Sequence, residues 1–445
     1  MTQISKRLFS SKKPYAGKIS KQAAHWSSYQ WIILILMGSA STLSFADRVN
    51  MSVVVPVWIV KYHLNPAGAG FVLSIFGWAY AVGLFFAGPI VARWHQKRVI
   101  PLGMVLWTAA TWLTALIFSV PLFTVTRSLL GLGESTLIPS NTRIASEIFE
   151  RGDQTKAVST FYAGSQLGVV VGAPIAAFIL SRMGWQAVFL VTGAFSIIWL
   201  ILWLPIYRPD KEVIPETEGV PADAEQPGGA KWISLLKQRQ TWGLMFGQFG
   251  GLYMLYVYVT WLPGMLALQH HFSILSAGWF TSLIFLTSVV MVLLSGWLSD
   301  FWLRRGGDLT VVRKTFCCGG MLLSTISIVI AAYTQNSEIA IIMLILAISG
   351  HAITTPPSGA LSIDLVPRHT VAALFGLQTF FGNIGSAIAP LVTGFLYART
   401  GSFQVALLTT GVITLVFGVG GFGLLLGKVE KPVSLNSAVV EEAIR

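Results

Sequence analysis

The chain has 445 residues, 54% of them apolar and only 11% charged, where a soluble domain carries about 25% charged residues. Too little charge is present to clothe a water-facing surface, so the exterior faces something apolar, and the 43 glycines and 16 tryptophans suit close helix packing and the headgroup zone of a bilayer. The net charge of +12 needs no nucleic acid, because a basic face against anionic lipid accounts for it. The adjacent Cys317 and Cys318 make neither a disulfide framework nor a zinc signature.

In chain order, residues 1–27 read as a basic cytoplasmic segment. The apolar run from Gln30 outlasts a signal-peptide core of roughly 7–15 residues and lacks a small-residue cleavage site, so it is expected to stay as a membrane helix. With about 20 apolar residues needed per crossing, twelve segments qualify. They lie at 28–58, 67–92, 98–118, 120–147, 156–182, 185–207, 240–268, 276–302, 313–333, 338–365, 370–398 and 403–427. A short turn at Ser119–Pro121 is needed between the third and the fourth. Between the sixth and seventh, residues 209–239 are polar, acidic and rich in Pro and Gly, a cytoplasmic linker. Residues 429–445 form a short cytoplasmic tail. The expected fold is therefore an all-α membrane protein with two six-helix bundles, 28–208 and 240–428.

Charge orients the bundle. With the N-terminus cytoplasmic, 25 of the 30 Lys and Arg fall on the cytoplasmic side, which is the side that retains positive charge. This predicts both termini inside. An internal repeat supports the six-plus-six division: Ala69-Gly70 recurs at Ala277-Gly278 and Gly88 at Gly296, both at an offset of 208. Later in the chain, Ala187–Gly193 (AVFLVTG) echoes Val405–Gly411 (VALLTTG). Related halves imply a pseudo-two-fold axis with a binding site between them.

Four ionisable residues fall well inside the predicted spans: Asp47, Arg48, Arg127 and Glu134. At about 2.5–3.5 kcal/mol each, four unpaired charges would cost on the order of 10 kcal/mol, so they face the bundle interior. Arg127 and Glu134 are two turns apart on one face, whereas Asp47 and Arg48 point about 100° apart. One of the latter pair is free to face the fourth span and the other a central cavity. A static ionic clasp is one reading, although apolar packing would serve that purpose as well. The chemistry suggests another. Arginine stays charged and offers a planar fork for a carboxylate. A buried carboxylate is pushed up by desolvation and down by a nearby Arg, which suits it to proton coupling.

The pattern Phe45-Ala46-Asp47-Arg48-Val49-Asn50 lies in the first span, and Arg127-Ser-Leu-Leu-Gly131-Leu-Gly133-Glu134, with Pro139 and Arg143 following, in the fourth. Together with Thr260-Trp261-Leu262-Pro263, they resemble the major facilitator superfamily, within it the anion:cation symporter branch of sugar-acid, phthalate and sialin-type permeases. The resemblance implies proton-driven uptake of an organic anion. It implies that Arg48 engages the substrate carboxylate, that Asp47 and Glu134 carry protons, and that Arg127 controls them. Similarity to galactonate-type permeases adds Tyr80 and Gln166 as substrate contacts. The usual Gly-x-x-x-Asp-Arg loop is altered here: Ala92 stands at the acid position before Arg93, while the second copy keeps Asp300. Arg93 and Asp300 are accordingly the expected gating pair of loops, with the first latch weakened.

His351 is a lone polar residue midway along the tenth span, either a neutral interhelical partner or a site contact. Thr355, Ser358, Thr379 and Asn383 are polar positions that suit a hydroxylated ligand. The leading expectation is a proton-coupled importer of a small carboxylate, of hexonate or hexuronate type, in a bacterial inner membrane. An organic-anion exchanger, a drug/proton antiporter and a non-transporting sensor are the alternatives. No metal cluster, nucleophile motif or phosphate loop points to an enzyme. No cofactor is expected, the driving force being the proton gradient. The expected partners are the anion, protons and membrane lipid, with the chain a monomer.

Overall fold

The computed structural model describes residues 26–116, 119–149, 154–208, 234–366 and 370–429. The basic N-terminal segment, most of the 209–239 linker and nearly all of the tail lie outside the described residues, as does the side chain of Ala92. Among the described residues all regular structure is helical.

The helices are α1 (Ser28–Tyr62), α2 (Pro66–Arg93), α3 (Gln96–Leu116), α4 (Val120–Glu134), α5 (Leu137–Ile148), α6 (Gln154–Met183), α7 (Trp185–Ile206), α8 (Arg239–Leu268), α9 (Ile274–Arg304), α10 (Leu309–Tyr333), α11 (Ser337–Asp364), α12 (Val371–Thr400) and α13 (Gln404–Ile413). The last continues through π-helical turns at Thr414–Val419 and Gly421–Leu425. Among the described residues, eleven helices are long and apolar enough to cross a bilayer. The expected fourth span differs: it is divided into α4 and α5 by a turn at Ser135–Thr136, and neither piece alone is of spanning length. The sequence signals for its start hold locally, since Ser119 stands at the cap and a proline occupies the first turn of α4. The π-turns fall where five glycines between Gly418 and Gly427 loosen the helical ladder.

Packing sorts the helices into two groups. In the first, α1 lies on α6, α4 on α2 and α3, and α3 on α7. In the second, α8 lies on α12, α10 on α11, and α9 on α11, with the terminal helix against α8 and α10. The groups meet where α2 packs on α12, α6 on α9 and α1 on α8. The repeated glycines make these seams possible: a Cβ at Gly70 would lie 2.6 Å from the Pro390 carbonyl, and one at Gly278 would lie 2.6 Å from the Ala177 methyl. Only a residue without a side chain permits that approach.

The cores show how the groups are joined. One apolar cluster is shared, running from Val49–Trp58, Ala69–Leu73 and Val169–Phe189 to Met254–Leu266, Ala277–Phe285 and Ile328–Ile348. The two larger of the remaining clusters are separate. One contains only first-group residues such as Ile33, Met37, Ile100 and Phe161, and the other only second-group residues such as Leu244, Met321, Leu361 and Phe422. The halves are thus sealed at the end bearing the α1–α2 and α8–α9 turns, and have separate cores at the end bearing Ser28 and Leu425.

Candidate functional site

The four intramembrane charges lie inside the bundle, with relative exposures of 2% for Asp47, 8% for Arg48, 2% for Arg127 and 1% for Glu134. Arg48 is the centre. Its Nε donates to Glu134 Oε2 at 2.8 Å, and its Nη1 donates to Tyr256 Oη at 2.9 Å. The rings of Phe45, Phe76 and Tyr80 lie 4.3, 4.8 and 4.8 Å from its guanidinium carbon, adding cation–π attraction in a desolvated setting. Ser44, one helical turn before Arg48, donates to the same Glu134 oxygen at 2.6 Å. That carboxylate oxygen therefore receives two hydrogen bonds, one of them charge-assisted.

Asp47 faces elsewhere, as the 100° separation predicts. Its Oδ1 accepts from Asn50 Nδ2 at 3.1 Å, and the same amide donates to Thr192 Oγ1 on α7 at 2.9 Å. Arg127 does not pair with Glu134 along their common helix face. Its Nη2 reaches only Thr114 Oγ1, at 3.5 Å, and its guanidinium stands 5.8 Å from the Phe189 ring while sensing the charges of both Asp47 and Glu134. Asp47 Oδ2, Arg127 Nε and Glu134 Oε1 are buried without a hydrogen-bond partner. Each such atom costs free energy to bury and is a candidate for a functional role.

Arg48 also divides the open space. A narrow cleft is bordered by Arg48, Phe76, Arg127, Tyr256, Thr260 and Ser386. A second, tighter crevice is bordered by Ser41, Ser44, Arg48, Tyr80, Glu134 and Ser165. Tyr80 is thus at the site. Gln166 is half-buried and borders neither space, although its neighbour Ser165 does. The polar positions of the second half are not brought to these spaces either. Thr355 is exposed and donates to the His351 carbonyl at 3.1 Å, and Ser358 is buried and donates to the Thr355 carbonyl at 2.9 Å. Asn383 donates to the Thr379 carbonyl at 2.9 Å. His351 sits beside Gly251 with a buried, unpartnered Nδ1. Arg93 and Asp300 are exposed and make no ion pair with each other.

Sequence reasoning missed Tyr256 and Ser44. The 208-residue offset carries Arg48 onto Tyr256 and would have identified it. Ser44 is flagged only by its i, i+4 relation to Arg48.

Long apolar helices in two groups, enclosing a charged cavity at mid-helix, define a solute transporter of the membrane rather than an enzyme. The chain belongs to the Major Facilitator Superfamily, whose sequence model matches residues 37–381 and 310–444. It is 29% identical over 432 residues to a probable galactarate/D-glucarate transporter of Bacillus subtilis, covering 92% of this chain and 94% of that one. It is 27% identical over 430 residues to a D-galactonate transporter of Escherichia coli O6:H1, covering 93% and 99%. In fold it matches the crystal structure of a bacterial homolog of the human lysosomal transporter Spinster, in an inward-facing and unoccupied conformation. The TM-score is 0.81 at 17% identity, covering 92% of this chain and all of that one.

Proposed function

We propose that this protein imports a small sugar acid across a bacterial inner membrane, driven by protons, through alternating exposure of the Arg48 cavity. The observation that carries this reading is the buried bond from Arg48 to Glu134 at 2.8 Å. The position a substrate carboxylate needs is occupied by the protein's own carboxylate. Substrate and Glu134 compete for one guanidinium, and a proton on Glu134 settles the competition for the substrate. The names of the galactarate/D-glucarate and D-galactonate relatives support the choice of substrate class.

In this scheme Asp47 is a second proton carrier, held by Asn50, and Arg127 supplies the positive charge that both carboxylates sense. Tyr80 contributes its ring beside Arg48 and borders the smaller space. The second-half positions Thr355, Ser358, Thr379 and Asn383, with Gln166 and His351, would reach the ligand only through a rearrangement of the halves. Twelve crossings follow if α4 and α5 together make one span, giving bundles at 28–208 and 240–428 and both termini in the cytoplasm. The placement of 25 basic residues supports that orientation. The end with separate cores then faces the cytoplasm, and Arg93 and Asp300 belong to the gate at that end.

The test is reconstitution into liposomes with a pH step. D-galactonate, galactarate or D-glucarate must enter with protons and accumulate against its gradient. A thermal-shift screen of these acids against organic cations selects the ligand, since a site ligand raises the melting temperature by mass action. Stabilisation by cations alone, or accumulation without proton flux, rejects the reading.

A further inference from the structure

The second half reaches the charged centre through Tyr256, a residue no motif names. Its backbone carbonyl accepts from Thr260 on the next turn at 2.5 Å, and its side chain packs beside Tyr253, Val257 and Ala389. The ring is thereby held on α8 with its hydroxyl directed across the seam to Arg48.

A guanidinium presents two double-pronged edges to a carboxylate: side-on through Nε and Nη2, and end-on through Nη1 and Nη2. In this protein each edge already has one prong committed, Nε to Glu134 and Nη1 to Tyr256. The rings of Phe45, Phe76 and Tyr80 restrain the guanidinium from turning a fresh edge outward. An incoming carboxylate therefore meets a seated partner at either edge and competes with it for two-point binding. The consequences differ. Displacing Glu134 leaves a buried carboxylate without its cation, and it must take up a proton. Displacing Tyr256 releases a neutral hydroxyl and requires no proton.

We propose that Tyr256 guards the end-on edge of Arg48, so that substrate is forced to compete with Glu134 and cannot bind without a proton. Tyr256 is then the residue that sets how tightly proton and substrate movements are coupled. The ionisable groups around Arg48 are Asp47 on α1, Tyr80 on α2, Arg127 and Glu134 on α4 and Tyr256 on α8. Among them Tyr256 alone comes from the opposite half. Rocking of the halves moves the guard relative to Arg48, so the edge it covers is exposed or withdrawn as the halves turn. The inference rests on the proton-coupled reading above.

The experiment compares wild type, Tyr256→Phe and Tyr256→His in proteoliposomes, using whichever of D-galactonate, galactarate and D-glucarate the wild type concentrates. Counterflow exchange, steady accumulation and protons moved per substrate are measured, with melting temperature as the check on folding. In Tyr256→Phe, the ratio of accumulation to exchange, both measured in the same vesicles, is expected to fall about tenfold or more, the factor carried by a hydrogen bond to a charged group. Protons per substrate fall with it. Tyr256→His, which restores a polar partner, recovers most of the coupling. A Tyr256→Phe protein with wild-type stoichiometry and only a raised KM overturns the inference, because Tyr256 is then a plain substrate contact. Loss of exchange in both folded variants overturns it equally. If the wild type itself moves no protons, the coupling reading fails first, and that result is visible without any variant.

Discussion

Replacing Glu134 with Gln isolates the competition at Arg48. In the wild type, Glu134 Oε2 accepts from Arg48 Nε at 2.8 Å, with the two side chains 0% and 6% exposed. A hydrogen bond to a charged group contributes about 1.5–3 kcal/mol and a neutral one about half as much. The amide of Gln keeps a weaker bond, so the grip on Arg48 loosens by about 1–1.5 kcal/mol, and substrate binding tightens about tenfold. The pH dependence follows with its sign. In the wild type, protonation of Glu134 releases Arg48, so apparent affinity rises as pH falls and levels off once the carboxyl is fully protonated. The variant behaves at every pH like the protonated wild type. Equilibrium titration of the purified protein with its sugar acid across a pH series reads this directly, and counterflow confirms that the site still turns over. Accumulation against a gradient by Glu134→Gln, or a wild-type pH slope in its affinity, refutes the argument.

The other expectations concern the fork, a distant ion pair and the seam. Arg48→Lys keeps the charge but loses the planar two-pronged edge, so substrate affinity should fall about 10-fold to 100-fold in the same titration; an unchanged affinity means the substrate is held by charge alone. Arg313 donates to Asp364 at 2.8 Å and to Ser299 at 3.0 Å, largely buried. Its replacement by Ala should cost about 2–4 kcal/mol in denaturation in detergent, while the double change Arg313→Met with Asp364→Leu recovers most of that. Gly70→Val would set a side chain against the Pro390 carbonyl and Gly394. The distance between spin labels at Asn65 and Thr400 should then lengthen; an unchanged distance shows that the seam tolerates the added volume.

Much of the architecture is legible in the chain because a bilayer imposes few solutions. An apolar run of about 20 residues has its backbone polar groups satisfied only as a helix, and eleven such helices are present among the described residues. The fourth was legible only in part. Its hydropathy reads as one segment, but the regular helix lapses for a turn at Ser135–Thr136, where both residues keep αR backbone angles and Ser135 still donates to the Gly131 carbonyl, a local event that a sliding average does not register. The polar residues of the second half are hard to read from sequence for a related reason. Ser and Thr satisfy themselves on their own helix carbonyls, as Thr355 and Ser358 do, so polarity in an apolar span does not by itself point into a cavity.

By itself, then, the sequence determined that Asp47, Arg48, Arg127 and Glu134 must be hidden from lipid, because the cost of an exposed charge leaves no alternative. Only the tertiary structure decided their partners. Arg127 and Glu134 share a helix face yet do not bond, whereas Arg48 reaches Glu134 from another helix and Tyr256 from the opposite half. A helix repeat specifies direction around one axis. Which side chains meet is set by where several axes cross, and here that is fixed by glycine seams such as Gly70 on Gly394, far from the charges they align.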